Sequence, residues 1–168
     1  VLPERNPHEH GDVKRQVLGA ILYMGRPLRI DEIAILCGYS AGASTVGTYV
    51  SALRKEGLVT PEGVPARGLV DLTAKGRRDA TKAPKPLPSE QRITWWCAQL
   101  GKHGDVLRLL CEVYPERIHH DTLCKRLSYS KDASTMGTYL SALRKKGLIT
   151  RERGPVAASP HLFLEPER

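Results

Sequence analysis

The chain has 168 residues, and its 26 Lys and Arg against 18 Asp and Glu give a formal net charge of +8. This excess indicates a polyanionic partner, and nucleic acid is favoured over a membrane surface because the sequence has no long apolar or basic amphipathic segment. We expect neither a signal peptide nor a membrane span, and four cysteines in apolar helical contexts favour reduced thiols and a cytoplasmic location.

The first predicted elements form a small helical unit. Residues 1–10 are polar and contain prolines, so we expect a flexible leader. Apolar residues at helical spacing predict a first helix over about 12–24, which Gly25 ends. A second helix is predicted over 31–37, followed by a turn of small residues.

The third helix, predicted over 44–55, has sequence signals at both ends. Ser44 is expected to cap its first amide groups, and Gly57 follows its last turn, where a left-handed residue ends a helix at little steric cost. Gly47 lies inside the helix at a cost of roughly 1 kcal/mol relative to Ala. A glycine there indicates either the close approach of another backbone or a phosphate, or tight packing against a neighbouring helix.

The chain after this helix is predicted to form a β-hairpin. Residues 58–60 and 69–73 are expected to pair around a basic tip at 61–68. Three short helices, with a tight turn between the second and third, followed by such a hairpin are typical of a winged helix-turn-helix. We therefore predict a winged-helix domain over residues 11–80.

A Pro-rich stretch follows this domain. The range 81–92 is predicted to be a linker, because prolines lack the amide donor that helices and strands need. The next predicted helix carries Trp95 and Trp96. This pair is expected to close a core or an inter-domain contact rather than to stack on a base.

The second half of the chain repeats the first. Residues 128–150 are identical to residues 38–60 at 16 of 23 aligned positions, without a gap. In this copy Ser134 is the expected cap, Gly137 lies inside the helix and Gly147 ends it. The predicted second wing pairs 148–151 with 162–164.

The whole chain is therefore predicted to be an α+β protein, mainly α with small β-hairpin wings. Its architecture is predicted to be two tandem winged helix-turn-helix domains. The second domain, with a linking helix before it, occupies 93–164, and a tail occupies 165–168.

The outward side of the repeated helix carries the candidate binding residues. Short Ser and Thr side chains near the start of a helix approach base edges, and cations farther along meet phosphates. Taken singly, charged residues near a helix end are an ordinary solvated face, but here the whole outward face is repeated. The first-copy candidates for DNA binding are Ser44, Thr45, Thr48, Ser51, Arg54 and Lys55, with Arg67 at the wing tip. The second-copy candidates are Lys131, Ser134, Thr135, Thr138, Ser141, Arg144 and Lys145, with Arg151 and Arg153 in the wing.

The repeated pattern of GYS, small residues, GTY, an apolar residue, SALRK and GL resembles bacterial winged-helix DNA-binding domains. It is similar in particular to the winged-helix modules at the C-terminal end of certain bacterial ATP-binding proteins related to hexameric translocases. The resemblance covers 31–60 and 121–150 and implies double-stranded DNA as the partner. It implies that the protein is a regulator such as a transcription factor, that it forms a homo-oligomer, or that it is the DNA-binding part of a larger chain with an ATPase or other domain. The sequence has no phosphate-binding G-x-x-x-x-G-K-[ST] motif, so no ATPase activity is carried over.

Two other function classes were weighed. A winged helix also serves as a protein-interaction scaffold, and the repeated face would then contact a partner protein. An enzyme is disfavoured, because the six histidines lack the spacing of metal ligands and no serine lies in a nucleophile-elbow motif. We therefore expect no catalytic residue, metal or cofactor.

Overall fold

A computed structural model describes residues 13–167, and it is mainly helical with a small antiparallel sheet. The predicted α+β class is confirmed at that level. The predicted leader at 1–10 and the last residue of the predicted tail lie outside the described residues. The helices are α1 Val13–Met24, α2 Ile30–Leu36, α3 Ser44–Lys55, α4 Ala74–Ala80, α5 Ser89–Gln99, α6 Lys102–Glu112, α7 His120–Arg126 and α8 Thr135–Lys146. The strands are β1 Leu28–Arg29 and β2 Leu69–Val70, and a 3-10 helix occupies Pro160–Phe163.

Each half of the chain has its own apolar core. In the first half, α1 packs against α3 and α4, and Val46, Val50 and Leu53 supply the buried side of α3. In the second half, α6 packs against α5 and α8, and the equivalent positions of α8 are buried in the same way. The helical spacing of these apolar residues therefore placed the inner face of both repeated helices correctly.

The segments after α3 pair as the sequence predicts. Val59 lies opposite Leu72, the Thr60 amide donates to the Asp71 carbonyl at 2.9 Å, and 61–68 is the exposed connection between them. β2 also pairs with β1, with Leu28 opposite Val70. This hairpin is thus attached to the start of α2 as well as to the end of α3.

The second half repeats the pairing at different residues from those predicted. Ile118 lies opposite Val156, and Ile149 lies opposite Ala158. The expectation that 162–164 forms the return strand is wrong, because the chain already returns at 156–159 and Leu162 is buried in the 3-10 helix. Val59 and Leu72 are 13 positions apart and Ile149 and Ala158 are 9 apart, so the second hairpin is four residues shorter.

The repeated helices end as predicted but do not begin as predicted. Gly57 and Gly147 adopt φ of +72° and +74°, and the amide after each one donates to the carbonyl five residues earlier, which closes a Schellman turn. Neither Ser44 nor Ser134 makes a capping hydrogen bond, because Ala43 holds the cap position of α3 and the Ser134 side chain caps no amide of α8. The two serine carbonyls instead accept from the Thr48 and Thr138 hydroxyls at 3.0 and 3.1 Å.

The Pro-rich segment after α4 packs against the first half. The Arg15 guanidinium donates to the Lys82 carbonyl at 2.6 Å. The Pro84 carbonyl lies so close to Gly19 that a Cβ on that glycine would come within 2.1 Å of it. Helix α5 then begins at Ser89, inside the predicted linker range of 81–92, and Trp95 and Trp96 are buried as expected. The segment is therefore held along α1 and is not a free tether.

Arg92 of α5 donates hydrogen bonds to three backbone carbonyls. Its side chain is 2% exposed. Its Nη1 donates to the carbonyls of Leu162 and Leu164 at 2.9 Å each, and its Nη2 donates to the carbonyl of Leu87 at 2.8 Å. Burial lowers the pKa of the guanidinium. Glu165, the first residue of the predicted tail, is also held, because its carboxylate accepts from the Tyr23 hydroxyl at 2.7 Å and from the Ser89 amide.

The two halves meet at a junction between the turn before α3 and the end of α8. The Ala41 amide donates to the Lys146 carbonyl at 2.9 Å, and a Cβ on Gly147 would lie 2.3 Å from the Cβ of Ala41. Ala41 packs against the second core, whereas Lys131, its equivalent in the second copy, is exposed. The turn of the first copy thus has a small residue where α8 contacts it.

Gly147→Ala is expected to destabilise the protein more than Gly57→Ala. Both glycines have the same left-handed backbone, so the conformational penalty is shared. The methyl group at 147 would meet Ala41, whereas a Cβ at 57 has no atom within 4 Å, so we expect an additional loss of about 1–3 kcal/mol from overpacking. Urea denaturation measures both, and equal losses would mean that the junction adjusts without cost.

Candidate nucleic-acid interface

The outward faces of α3 and α8 are open to solvent over most of their length. Of the predicted residues, Thr135, Arg54 and Arg144 are half-buried and the others are exposed. The exposed residues on the two helices are Ser44, Thr45, Thr48, Ser51, Lys55, Ser134, Thr138, Ser141 and Lys145. Among residues 13–167, the faces are buried neither against each other nor against other elements.

Gly47 and Gly137 have empty space beside them. A Cβ built on either glycine meets no atom of residues 13–167 within 4 Å. Tight packing against a neighbouring helix, one of the two explanations for these glycines, is therefore wrong. The glycine of α8 lines a shallow concavity together with Ser134, Thr138, Ser141, Ala142 and Lys145. The backbone of the helix is thus accessible to solvent at this turn.

Arg54 and Arg144 lie closer to the body of the protein than the sequence predicts. Both are half-buried, and the Arg54 Nε donates to the Thr60 carbonyl at 3.3 Å at the base of the hairpin. The Arg144 Nε is buried and has no hydrogen-bond partner among the described residues. The Arg54 side chain lies against the base of the first hairpin. A substitution at either position therefore affects stability as well as surface charge.

The cations around the second helix outnumber those around the first. The predicted first-copy cations that are exposed are Lys55 and Arg67; Glu62 is exposed near them in sequence, and Glu56 pairs with Lys14. The exposed second-copy cations are Lys131, Lys145, Arg151 and Arg153, and Asp132 is exposed beside the first of them. Glu152, which lies between the last two, pairs with Arg117 at 2.9 Å. The second copy therefore presents the more positive surface.

The faces have the size and chemistry of a groove-binding element. A 12-residue helix is about 18 Å long, and the major groove of B-DNA, about 12 Å wide, admits such a helix. Hydroxyl groups occupy the first turns and cations the last turn and the hairpin loops. This arrangement accepts a partner that combines hydrogen-bonding edges with a row of negative charges.

Sequence reasoning missed the contact of Ala41 with the end of α8 at Lys146 and Gly147. The turn reads Ala41-Gly42 in the first copy and Lys131-Asp132 in the second, within a stretch that is otherwise almost identical. This difference between two otherwise similar turns was the available sequence signal that only the first copy makes a contact there. The shorter second hairpin had little signal, because VAAS at 156–159 shares only its valine with VDLT at 70–73.

The described residues offer no metal site and no activated thiol. Between residues 13 and 167 no group of three or more His, Cys, Asp or Glu is placed to hold a metal ion. Burial raises the pKa of Cys37 and Cys111 to about 12 and that of Cys97 to about 11, so these thiols are protonated at neutral pH. In the same range no helix is both long and apolar enough to cross a membrane.

The function of the two faces has to be inferred from their geometry. Comparison of this chain with protein-family models, with curated proteins and with solved structures found no match. The resemblance of 31–60 and 121–150 to bacterial winged-helix modules therefore stays a prediction.

Proposed function

We propose that the protein binds double-stranded DNA through two winged helix-turn-helix units, with α3 and α8 as the groove-facing helices. The observation that carries this proposal is the exposure of both repeated polar faces, with empty space beside the glycine at the same position of each helix. A structural role for these faces would require something to pack against them. Within the described residues, only the first turn of α8 and the last turn of each helix are partly covered.

The arrangement of each half supports the winged-helix part of the proposal. In the first half α2, a turn and α3 are followed by paired segments at 58–60 and 69–73. In the second half α7, a turn and α8 are followed by paired segments at 148–150 and 156–159. A helix-turn-helix places its second helix in the major groove, and the hairpin loops are then available to the phosphate backbone.

Each class of side chain has a distinct role in this proposal. The Ser and Thr hydroxyls approach base edges and discriminate bases only modestly, since hydroxyl groups hydrogen-bond to either base type. Exposed cations neutralise phosphates and supply most of the affinity. Lys131 adds a contact that Ala41 does not offer, so the second unit is the stronger of the two. The biological setting that fits is a bacterial cytoplasmic regulator or homo-oligomer, or the DNA-binding part of a larger chain.

Salt dependence tests the proposal without knowledge of the target sequence. The six exposed cations Lys55, Arg67, Lys131, Lys145, Arg151 and Arg153 are expected to give a slope of about −5 in a plot of log affinity against log salt concentration. The measurement is fluorescence anisotropy with a random-sequence duplex at several salt concentrations. A flat dependence, or no binding at low salt, would favour the alternative of a protein-interaction scaffold.

Gly47→Ala and Gly137→Ala are expected to stabilise the protein and to weaken DNA binding. Alanine favours a helix interior by roughly 1 kcal/mol over glycine, and both sites have room for the methyl group. The same methyl group would stand between the helix and an approaching backbone or phosphate. Denaturant unfolding and duplex titration of each variant measure the two effects. Higher stability with unchanged affinity would mean that no partner comes close at this turn.

A further inference from the structure

The last turn of α8 meets the turn before α3 where the halves of the chain join. The hydrogen bond from the Ala41 amide to the Lys146 carbonyl joins the end of α8 to the turn before α3. The residues on either side of this bond, Lys145 and Gly42, are both exposed. The open surface therefore passes from the last turn of α8 to the turn that leads into α3.

Contacts outside this bond fix the position of one half relative to the other. Ile35 of α2 is fully buried within the second core, and Leu164 packs against the first core. His161 Nε2 lies 3.3 Å from Asp31 Oδ2. The Tyr23 hydroxyl donates to Glu165, whose neighbour Leu164 accepts from Arg92. These separate contacts hold the two halves together, so the fold determines the distance between α3 and α8.

This separation does not exceed the spacing of two successive major grooves. Because α8 ends at the turn that precedes α3, half of each helix, roughly 9 Å, lies on either side of that turn. The step from Lys146 to Ala41 and the residues from Ala41 to Ser44 add at most about 16 Å, so the helix centres are at most about 34 Å apart. Paired helix-turn-helix units that read half-sites on successive turns need about 34–36 Å, so one duplex spans both helices.

The inference rests on the proposed function. We propose that α3, α8 and their hairpins form one composite surface that binds a single uninterrupted stretch of one duplex, with one duplex per chain. The basic last turn of α8, residues 144–146, lies at the centre of this surface, and Lys55 at the end of α3 lies at its edge. Contacts near the centre of an interface contribute more to affinity than contacts at its rim.

The test uses the intact protein and a random-sequence duplex of about 16 base pairs, which is long enough for both helices at roughly 3.4 Å per base pair. Native mass spectrometry gives the stoichiometry with excess duplex. The matched variants Lys55→Gln and Lys145→Gln, at equivalent exposed positions, give the contribution of each face. We expect one duplex per chain, a loss of affinity of roughly 10-fold for Lys145→Gln and a smaller loss of roughly 3-fold for Lys55→Gln.

The outcomes separate this inference from the function on which it depends. Binding of two duplexes per chain, or full affinity in either variant, would overturn the composite surface and leave DNA binding intact. Failure of the wild-type chain to bind the duplex even at low salt would overturn DNA binding and the composite surface together. Since both lysines are exposed, unchanged thermal unfolding of the variants is the control for folding.

Discussion

Reversal of Lys55 and Lys145 together to glutamate is expected to lower the affinity for duplex DNA by roughly 100- to 10,000-fold, because each reversal replaces a charge-assisted contact of about 1.5–3 kcal/mol with repulsion. Both side chains are exposed on the outward face of their helix. We therefore expect the thermal unfolding midpoint to fall by only a few degrees, from the loss of the lysine charges at the carbonyl ends of the helices. Duplex titration by anisotropy and thermal unfolding by circular dichroism measure the two effects.

The matched control reverses two cations elsewhere. Arg78 of α4 and Arg108 of α6 are also exposed, and their reversal to glutamate changes the net charge by the same amount. Only the long-range field changes in this variant, so a loss of less than about 5-fold is expected at physiological salt. Equal losses in the two double variants would mean that net charge, and not the faces of α3 and α8, determines binding.

The lysines suit this experiment better than the arginines beside them. Arg54 and Arg144 are half-buried, and Arg54 donates to the hairpin base at Thr60. A glutamate there would remove that hydrogen bond and place a second acceptor near the carbonyl. A loss of binding in such a variant would not distinguish local unfolding from the loss of a phosphate contact.

Replacement of Arg92 by methionine is expected to destabilise the protein by roughly 3–5 kcal/mol. A buried ion pair can often be replaced by apolar residues, but here the acceptors are backbone carbonyls, which remain after the substitution. The carbonyls of Leu87, Leu162 and Leu164 would all lose their guanidinium donor. Each buried acceptor left without a partner costs about 1–3 kcal/mol.

Urea denaturation of three variants checks this expectation. Gln91→Met places the same side chain at the exposed neighbouring position of α5 and is expected to change the free energy of unfolding by less than about 0.5 kcal/mol. Arg92→Lys keeps the charge but lacks the planar fork that reaches three carbonyls, so its loss is expected to be intermediate. An Arg92→Met protein as stable as the Gln91→Met protein would show that these hydrogen bonds contribute nothing.

The sequence predicted the features of the fold that depend on local chemistry. The apolar spacing in 44–55 and its repeat identified the buried side of both helices, and Gly57 and Gly147 marked their ends because a left-handed residue is needed there. The second hairpin was misread because Leu162 and Leu164 look like strand residues, whereas the real return segment at 156–159 is made of small side chains. Ser159, which accepts from the His161 amide, starts a 3-10 helix at that point.

At the candidate site, the sequence predicted the exposure only of side chains whose position depends on their own helix. The exposure of the Ser and Thr residues follows from helical periodicity. The position of the Arg54 side chain does not, because it depends on a hydrogen bond to the base of the hairpin at Thr60. The junction of Ala41 with Gly147 joins segments about one hundred residues apart, and no periodic pattern encodes such a contact.

Backbone amide chemical shifts, recorded while a duplex of about 16 base pairs is added, test most directly whether α3 and α8 bind DNA. DNA binding through these helices predicts that the largest changes occur at 44–48 and 134–138 in the same titration, with smaller changes in the hairpin loops at 61–68 and 151–155. Changes confined to α1, α5 and α6, with α3 and α8 unaffected, would contradict it.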